Sequence, residues 1–113
     1  MSDPDFSTFE VWGRGNLFED FTKDQTFDHH WGRTLTAADS LLFASTALRY
    51  CPLYLNAEYA KQQDHQDLVI DPMLVLATVI GMSVEDLSEI GGPFLGVNKV
   101  EFGQSVYPND SIT

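Results

Sequence analysis

The stretch IDPMLVLATVIGM, residues 70 to 82, is the most apolar part of the chain and decides how the rest must be arranged. Asp71 can cap a helix and Pro72 suits the first helical turn, so a helix is predicted to begin here. The residues after Pro72 are apolar on every face, which is typical of a helix surrounded by protein. Gly81 and the capping pattern SVED at 83–86 predict that the helix ends or restarts there. The run is too short for the about 20 residues of a membrane span.

A corner of two shorter helices is predicted immediately before this central helix. Thr36 is a suitable N-cap and Asp39 follows three residues later, a variant of the capping box, which predicts a helix from about 37 to 49. Pro52 disfavours helical backbone in the residue before it. Asn56 can then cap a second short helix, AEYAKQQ.

Strand-like segments flank these helices. Residues 26–35, TFDHHWGRTL, alternate at period two and predict a strand with one covered face. After the break GGP, residues 94–107 are rich in β-branched and aromatic residues, PND predicts a turn, and SIT begins a further strand. The predicted fold class is therefore α+β. Because stable sheets need three or more strands, so few strands cannot cover the central helix. We expect the chain to be part of a longer domain or to rely on a partner.

Length and charge restrict the domain organisation and the partners. A chain of 113 residues suits one small core, and we expect a loosely ordered lead-in over 1–15 followed by a domain over 16–113. The net charge of -11 argues against a nucleic acid or an anionic membrane as partner. An acidic, lysine-poor surface suits a salt-rich cytoplasm, so a halophilic origin is predicted. Cys51 is the only cysteine and the N-terminus lacks the features of a signal peptide, which favours a reducing cytoplasm.

Most other motifs favour structural roles. His29 and His30 are neighbours on a predicted strand and point to opposite faces, so they cannot chelate one metal ion together. One packed and one exposed histidine is the simpler interpretation, and no metal site is predicted. GGPFLG and GRG lack the setting of a phosphate loop, and no cofactor is expected. Cys51 is predicted to be a buried, inert thiol, and His65 a surface residue in a polar loop.

Arg49 and Asp71 are the most informative charged residues, because both lie at predicted helix ends that face crevices. A buried arginine is rarely left without an anion. Residue types alone leave two alternatives open. The two residues either form a structural ion pair, with each other or with backbone carbonyls, or they belong to a functional site.

Four segments, in order and with suitable gaps, resemble the first half of a MaoC-like hydratase of the hot-dog fold: GRTLTAAD, LLFASTALRYCPLYLNAEYA, IDPMLVLATVIGM and VEFGQSVYPNDSI. The resemblance runs from about Asn16 to Thr113. It implies a curved antiparallel sheet around a central helix from Pro72 to about Gly81, with the remaining strands beyond Thr113. It also implies an enzyme that adds water to, or removes it from, enoyl-CoA thioesters, working as a homodimer or as paired hot-dog domains.

The site departs from the family pattern. Ordinary (R)-specific enoyl-CoA hydratases carry an aspartate, an asparagine and a histidine where this chain has Arg49, Cys51 and Tyr54. They also carry histidine and glycine at the head of the central helix, where this chain has Asp71 and Pro72. Proline has no N–H with which to polarise a thioester. The resemblance therefore leaves two alternatives, a non-catalytic hot-dog half that binds acyl-CoA or completes a partner domain, and a subgroup with other machinery.

The chain is similar to one such subgroup, the mesaconyl-CoA hydratases (β-methylmalyl-CoA dehydratases), which have an aspartate at this helix head and a continuation echoed here by GMSVEDLS. Their acyl group carries a free carboxylate, which a guanidinium can bind in two-pronged geometry. This resemblance implies Arg49 and Met73 as substrate-binding residues and Asp71 and Tyr54 as catalytic residues. The implied substrate is a short branched enoyl-CoA thioester such as mesaconyl-CoA.

Overall fold

The structure, a computed structural model, describes residues 5–10 and 13–113 and combines four α-helices with a small antiparallel sheet. The regular elements are 3₁₀ turns at Phe6–Thr8 and Phe18–Asp20, β1 (Arg33–Thr34), α1 (Ala37–Thr46), α2 (Pro52–Leu55), α3 (Ala57–Gln62), α4 (Pro72–Leu87) and β2 (Ser111–Ile112). The α+β class predicted from the sequence agrees with this mixture. The predicted lead-in over 1–15 lies partly outside the described residues.

The central helix α4 begins where the sequence predicts. The Asp71 carboxylate accepts a hydrogen bond from the Met73 N–H at 2.8 Å, and Pro72 occupies the first turn. The predicted end near Gly81 is wrong, because the helix continues to Leu87. The Ser83 hydroxyl, expected to cap a new helix, instead donates to the Ile80 carbonyl one turn back at 2.9 Å.

Local capping also forms the helical corner before α4. The Asp39 N–H donates to the Thr36 hydroxyl oxygen at 3.3 Å, and the Asp39 carboxylate accepts from the Thr36 N–H at 2.9 Å. The side chain of Asn56 accepts from the N–H groups of Glu58 and Tyr59 and caps α3. Both helix starts are therefore confirmed, and α2 and α3 follow α1 closely in the chain.

The predicted strands are largely absent from the described residues. Over 26–35 only Arg33 and Thr34 are in a strand, paired antiparallel with Ile112 and Ser111. Residues 94–107 form no strand, which corrects the prediction. A strand needs a neighbouring strand that pairs with its backbone N–H and C=O groups. Only two residues of β2 pair with β1, which limits β1 to two residues.

Side chains, rather than strand pairing, attach the segment before β1 to the last turns of α4. His29 Nδ1 lies 2.5 Å from an Asp86 carboxylate oxygen, and His30 Nδ1 lies 3.6 Å from Glu85. The Asn16 amide donates to the Asp86 carbonyl at 2.8 Å. The His29 side chain is 20% exposed and that of His30 is 67% exposed, so one packed and one exposed histidine is confirmed.

The core is small and leaves much of α4 uncovered. The buried apolar residues are Leu35, Ala44, Ala60, Leu68, Val69, Ile70 and Met82. On α4 itself, Met73, Val79 and Leu87 are each more than 40% exposed. The radius of gyration is 19.0 Å, against about 13 Å for a compact domain of this length. The chain alone therefore does not surround its apolar helix, and no helix in the described ranges is long and apolar enough to cross a bilayer.

Two predictions about burial were wrong. Cys51 is exposed rather than buried, because it lies at the turn between α1 and α2, outside the small core. His65 is half-buried rather than on the surface, and its Nδ1 lies 3.0 Å from the Tyr107 hydroxyl. This contact links the loop after α3 to the segment that precedes β2.

Candidate functional site

Arg49 and Asp71 meet between the end of α1 and the head of α4. The guanidinium Nε donates to Asp71 Oδ2 at 2.5 Å. The Asp71 side chain is fully buried, whereas that of Arg49 is 38% exposed. The hydrogen bond to Asp71 raises the pKa of Arg49 above its ordinary value. The pair therefore has one buried member and one that reaches solvent.

Both carboxylate oxygens of Asp71 are occupied by donors. Oδ1 accepts from the Met73 N–H at 2.8 Å, and Oδ2 accepts from Arg49. The Asp71 N–H donates to the buried Ser40 hydroxyl at 3.3 Å, which ties the head of α4 to α1. In this arrangement neither oxygen is exposed to water, so a water-activating role for Asp71 requires Arg49 to move away from Oδ2.

The head of α4 offers no spare N–H to a substrate carbonyl. Pro72 has none, and the Met73 N–H is bonded to Asp71 Oδ1. The N–H groups of Leu74 and Val75 donate to the Asp71 carbonyl at 2.9 and 3.2 Å. The head of α4 therefore supplies no backbone donor for a thioester carbonyl, and a side chain is the alternative.

Tyr54 on α2 is one side chain near the pair that can donate a hydrogen bond. The Arg49 Cζ atom lies 6.0 Å from the centre of the Tyr54 ring, within reach of a cation–π contact. Burial raises the pKa of the Tyr54 phenol, and the charge of Asp71 adds to this effect. The phenol is therefore protonated at neutral pH and can donate a hydrogen bond or a proton.

A cavity of about 300 Å³ opens beside Tyr54; we call it the Tyr54 cavity. Its walls come from Leu53 and Tyr54 on α2, from residues around the head of α4 including Ile70 and Val75, and from 102–106. The Ile70 N–H donates to the Val106 carbonyl at 2.9 Å and holds this last wall in place. The cavity is mainly apolar, with the polar side chains of Gln104 and Ser105 on one wall.

Met73, predicted to bind substrate, points elsewhere. Its side chain is 41% exposed and lines a separate apolar groove of about 460 Å³ between α4 and residues 94–102. The structure therefore brings together Arg49, Asp71 and Tyr54 but not the Met73 side chain. Among the described residues, no three His, Cys, Asp or Glu side chains are grouped closely enough to hold a metal ion.

Sequence reasoning missed Ser40 and the wall at 102–106. Ser40 lies one residue after Asp39 of the capping box, and its buried hydroxyl accepts from the Asp71 N–H. A serine inside a helix carries no local signal of such a contact. The wall was predicted as a strand, which gave no indication that it would line a cavity.

The backbone before Arg49 adopts an unusual conformation. Leu48 has φ 54°, in the left-handed region that disfavours side chains, and the Arg49 N–H donates to the Ala44 carbonyl at 2.8 Å. This pattern is a Schellman-type helix ending, in which glycine usually occupies the left-handed position. It also ends α1 at Thr46, three residues earlier than predicted, and turns Arg49 toward Asp71.

Replacing Leu48 with glycine should therefore raise the free energy of unfolding by about 0.5 to 1 kcal/mol, because it relieves the left-handed strain. Leu48 is 71% exposed, so little burial is lost. The matched control is Leu42→Gly within α1, which is 70% exposed and should destabilise by about 1 kcal/mol. Urea titrations of both variants test this; equal destabilisation would mean that Leu48 bears no strain.

Comparison with known proteins agrees with the resemblance found in the sequence. The family model described as mesaconyl-CoA hydratase matches residues 6–113. Mesaconyl-CoA hydratase of Haloarcula marismortui is 38% identical over 93 residues, which cover 82% of this chain and 26% of that protein. Beta-methylmalyl-CoA dehydratase of Chloroflexus aurantiacus is 34% identical over 99 residues, which cover 88% of this chain and 28% of that protein. The chain thus spans about a quarter of the length of these relatives.

A solved structure supports the fold. The monoamine oxidase regulatory protein from Archaeoglobus fulgius superposes with a TM-score of 0.72 at 24% identity, over 89% of this chain and 69% of that chain. At this identity the likeness concerns the fold alone. The family match covers more than nine-tenths of the sequence, and it confirms the resemblance predicted from the sequence. The chain therefore belongs to the mesaconyl-CoA hydratase family.

Proposed function

We propose that this chain contributes the carboxylate-binding part of a hydratase that adds water to a short branched enoyl-CoA thioester such as mesaconyl-CoA, or removes it. The observation that carries the proposal is the position of Arg49. Its Nε is held by a buried carboxylate while the side chain remains 38% exposed, 6.0 Å from the centre of the Tyr54 ring. Because the guanidinium reaches solvent, it can turn to a second, incoming carboxylate.

The reaction converts a carbon–carbon double bond and one water into a hydroxy thioester. A C–O bond forms at the carbon that bears the carboxylate, a C–H bond forms at the carbon next to the thioester, and one O–H bond of water breaks. Hydration therefore needs a base for water, a proton donor and a donor to the thioester carbonyl. Tyr54, protonated and beside the cavity, suits either donor role.

Asp71 is the proposed base, and its geometry sets a condition on that role. The substrate carboxylate competes with Asp71 for the Arg49 guanidinium. When Arg49 turns toward the substrate, Asp71 Oδ2 loses its donor and becomes available to water.

Within the α+β class, we propose that the chain forms the first part of a hot-dog domain. Supporting this, α4 exposes Met73, Val79 and Leu87, which further strands or a second hot-dog domain would cover. We propose that a second copy of the chain, in a homodimer, or a paired hot-dog domain packs against this exposed face of α4. The sequence-based prediction of a cytoplasmic location remains a prediction.

The second candidate function is a non-catalytic half that binds acyl-CoA or completes a partner domain. The closed Arg49–Asp71 pair favours it, since both Asp71 oxygens are occupied. The deciding experiment is an assay of the whole protein with mesaconyl-CoA and with crotonyl-CoA, following the loss of absorbance of the conjugated double bond. Turnover of mesaconyl-CoA supports the hydratase; binding without turnover of either thioester supports the second candidate.

Salt should stabilise this chain if its acidic surface is an adaptation to high salt, as relatives from Haloarcula suggest. The net charge of -11 produces self-repulsion that is screened over about 10 Å at 0.1 M salt and about 3 Å at 1 M. The melting temperature and the extent of association should therefore rise between dilute and molar KCl. As a control, the effect should shrink near pH 4.3, the isoelectric point. A melting temperature that does not change with salt would contradict the halophilic proposal.

A further inference from the structure

The Tyr54 cavity lies directly beside the proposed carboxylate anchor. Tyr54 forms one wall and its ring lies 6.0 Å from the Arg49 Cζ atom. Ile70 and Pro72, the two neighbours of Asp71 in the chain, form another wall. A thioester whose carboxylate is held by Arg49 can therefore extend past Tyr54 into this cavity.

The cavity has the surface of a pocket for an alkyl branch and room for more than one methyl group. Its volume of about 300 Å³ is at the lower end of the range for small-molecule sites, about 300 to 1,000 Å³. Leu53, Val69 and Val75 give it an aliphatic lining. The polar residues Gln104 and Ser105 belong to the segment 102–106. An apolar substituent gains from entering such a space, and a charged one does not.

Val75 is in a position to set the depth of this cavity. It lies one helical turn after Asp71, so both residues are on the same face of α4. Its N–H donates to the Asp71 carbonyl at 3.2 Å, which fixes its backbone relative to the anchor. Its side chain is half-buried against the cavity.

We infer that the Tyr54 cavity receives the alkyl branch of the acyl group and that Val75 determines how large a branch it accepts. This inference rests on the proposed hydratase function and specifies how the enzyme selects substrates by the size of their alkyl branch. Arg49 recognises the carboxylate, and Val75 distinguishes the methyl-branched thioester from the unbranched thioester of fumaric acid, which keeps the same carboxylate.

The test compares kcat/KM of the whole protein for mesaconyl-CoA and for fumaryl-CoA. Val75→Leu narrows the cavity by one methylene beside α4, so the preference for the branched substrate should fall by about tenfold, the usual effect of one methylene in an apolar pocket. Val79→Leu is the matched control: the residue is on the same helix one turn later, is 44% exposed and lines none of the cavities described. Its preference should not change.

Val75→Ala tests the same idea in the opposite direction and covers the case in which Val75→Leu does not fold. It should raise kcat/KM for an ethyl-branched analogue, relative to kcat/KM for mesaconyl-CoA, by about tenfold. The same ratio should not change in Val79→Ala. An unchanged branched-to-unbranched ratio in the folded Val75 variants, or equal shifts in the Val79 controls, would overturn the inference. If the unsubstituted protein turns over neither thioester, the proposed function fails instead, so the two failures are distinguishable.

Discussion

Arg49→Lys in the whole protein should raise KM for mesaconyl-CoA by about tenfold to a hundredfold, because lysine cannot bind a carboxylate with two parallel N–H groups. Crotonyl-CoA lacks that carboxylate, so its kcat/KM should hardly change. Steady-state assays with both thioesters measure the effect, and the ratio of the two kcat/KM values is the decisive quantity. A ratio equal to that of the unsubstituted protein would show that Arg49 is a structural partner of Asp71.

A second arginine provides the control for this experiment. Arg33 also pairs with an aspartate, since its Nη2 lies 2.6 Å from Asp39 Oδ1, and it is partly exposed. It lines a different cavity, together with Trp31, whereas Arg49 lies beside the Tyr54 ring. Arg33→Lys therefore repeats the same chemical change in another Arg–Asp pair, and both substrates should respond to it equally. If Arg33→Lys lowered kcat/KM for mesaconyl-CoA but not for crotonyl-CoA, the selectivity would follow from overall charge or stability and not from Arg49.

Helix starts could be predicted from the sequence because their signals are local. Thr36, Asn56 and Asp71 each cap a helix with a side chain that reaches only two or three residues ahead. Helix ends were less certain. The end of α1 depends on a left-handed Leu48, for which the sequence offers no glycine, and α4 passes through Gly81 because its neighbours continue the helical hydrogen bonds.

Strands and burial depend on partners that a local pattern does not identify. Residues 94–107 have strand-like composition, yet no described strand lies beside them, and they line cavities and grooves along α4 instead. Cys51 was expected to be buried on residue type alone, whereas the turn that contains it faces solvent. These outcomes follow from long-range packing.

The candidate site was predicted in part. Arg49, Tyr54 and Asp71 follow from family positions and lie close together in the structure. The cap at Asp71 was predicted, and an ion pair with Arg49 was one of two alternatives, but that Asp71 would be fully buried could not be predicted. Its burial depends on how α1 ends and on the contact of the Asp71 N–H with Ser40, which are tertiary features. The sequence therefore indicated the residues of the site but not which of them reach solvent.

Asp71→Asn should lower kcat by about a hundredfold or more on both thioesters, because an amide cannot take a proton from water, and general base catalysis is worth roughly that factor. The fold should persist, since the asparagine side chain can still accept the Met73 N–H. Asp71→Ala also removes this cap, and its free energy of unfolding should fall by about 1 kcal/mol more than that of Asp71→Asn. Kinetic assays and urea titrations of the two variants separate the chemical role from the structural one.

The pattern of kinetic change identifies the role of the buried carboxylate. If Asp71 only holds Arg49 in place, Asp71→Asn should raise KM for mesaconyl-CoA alone and leave kcat on crotonyl-CoA intact, which would contradict the base assignment. Asp39→Asn is the control, because Asp39 is likewise a helix-capping aspartate paired with an arginine, but its partner is Arg33 rather than Arg49. Loss of kcat in Asp71→Asn but not in Asp39→Asn would mean that the pair opens during turnover, since Asp71 Oδ2 reaches water only after Arg49 has left it.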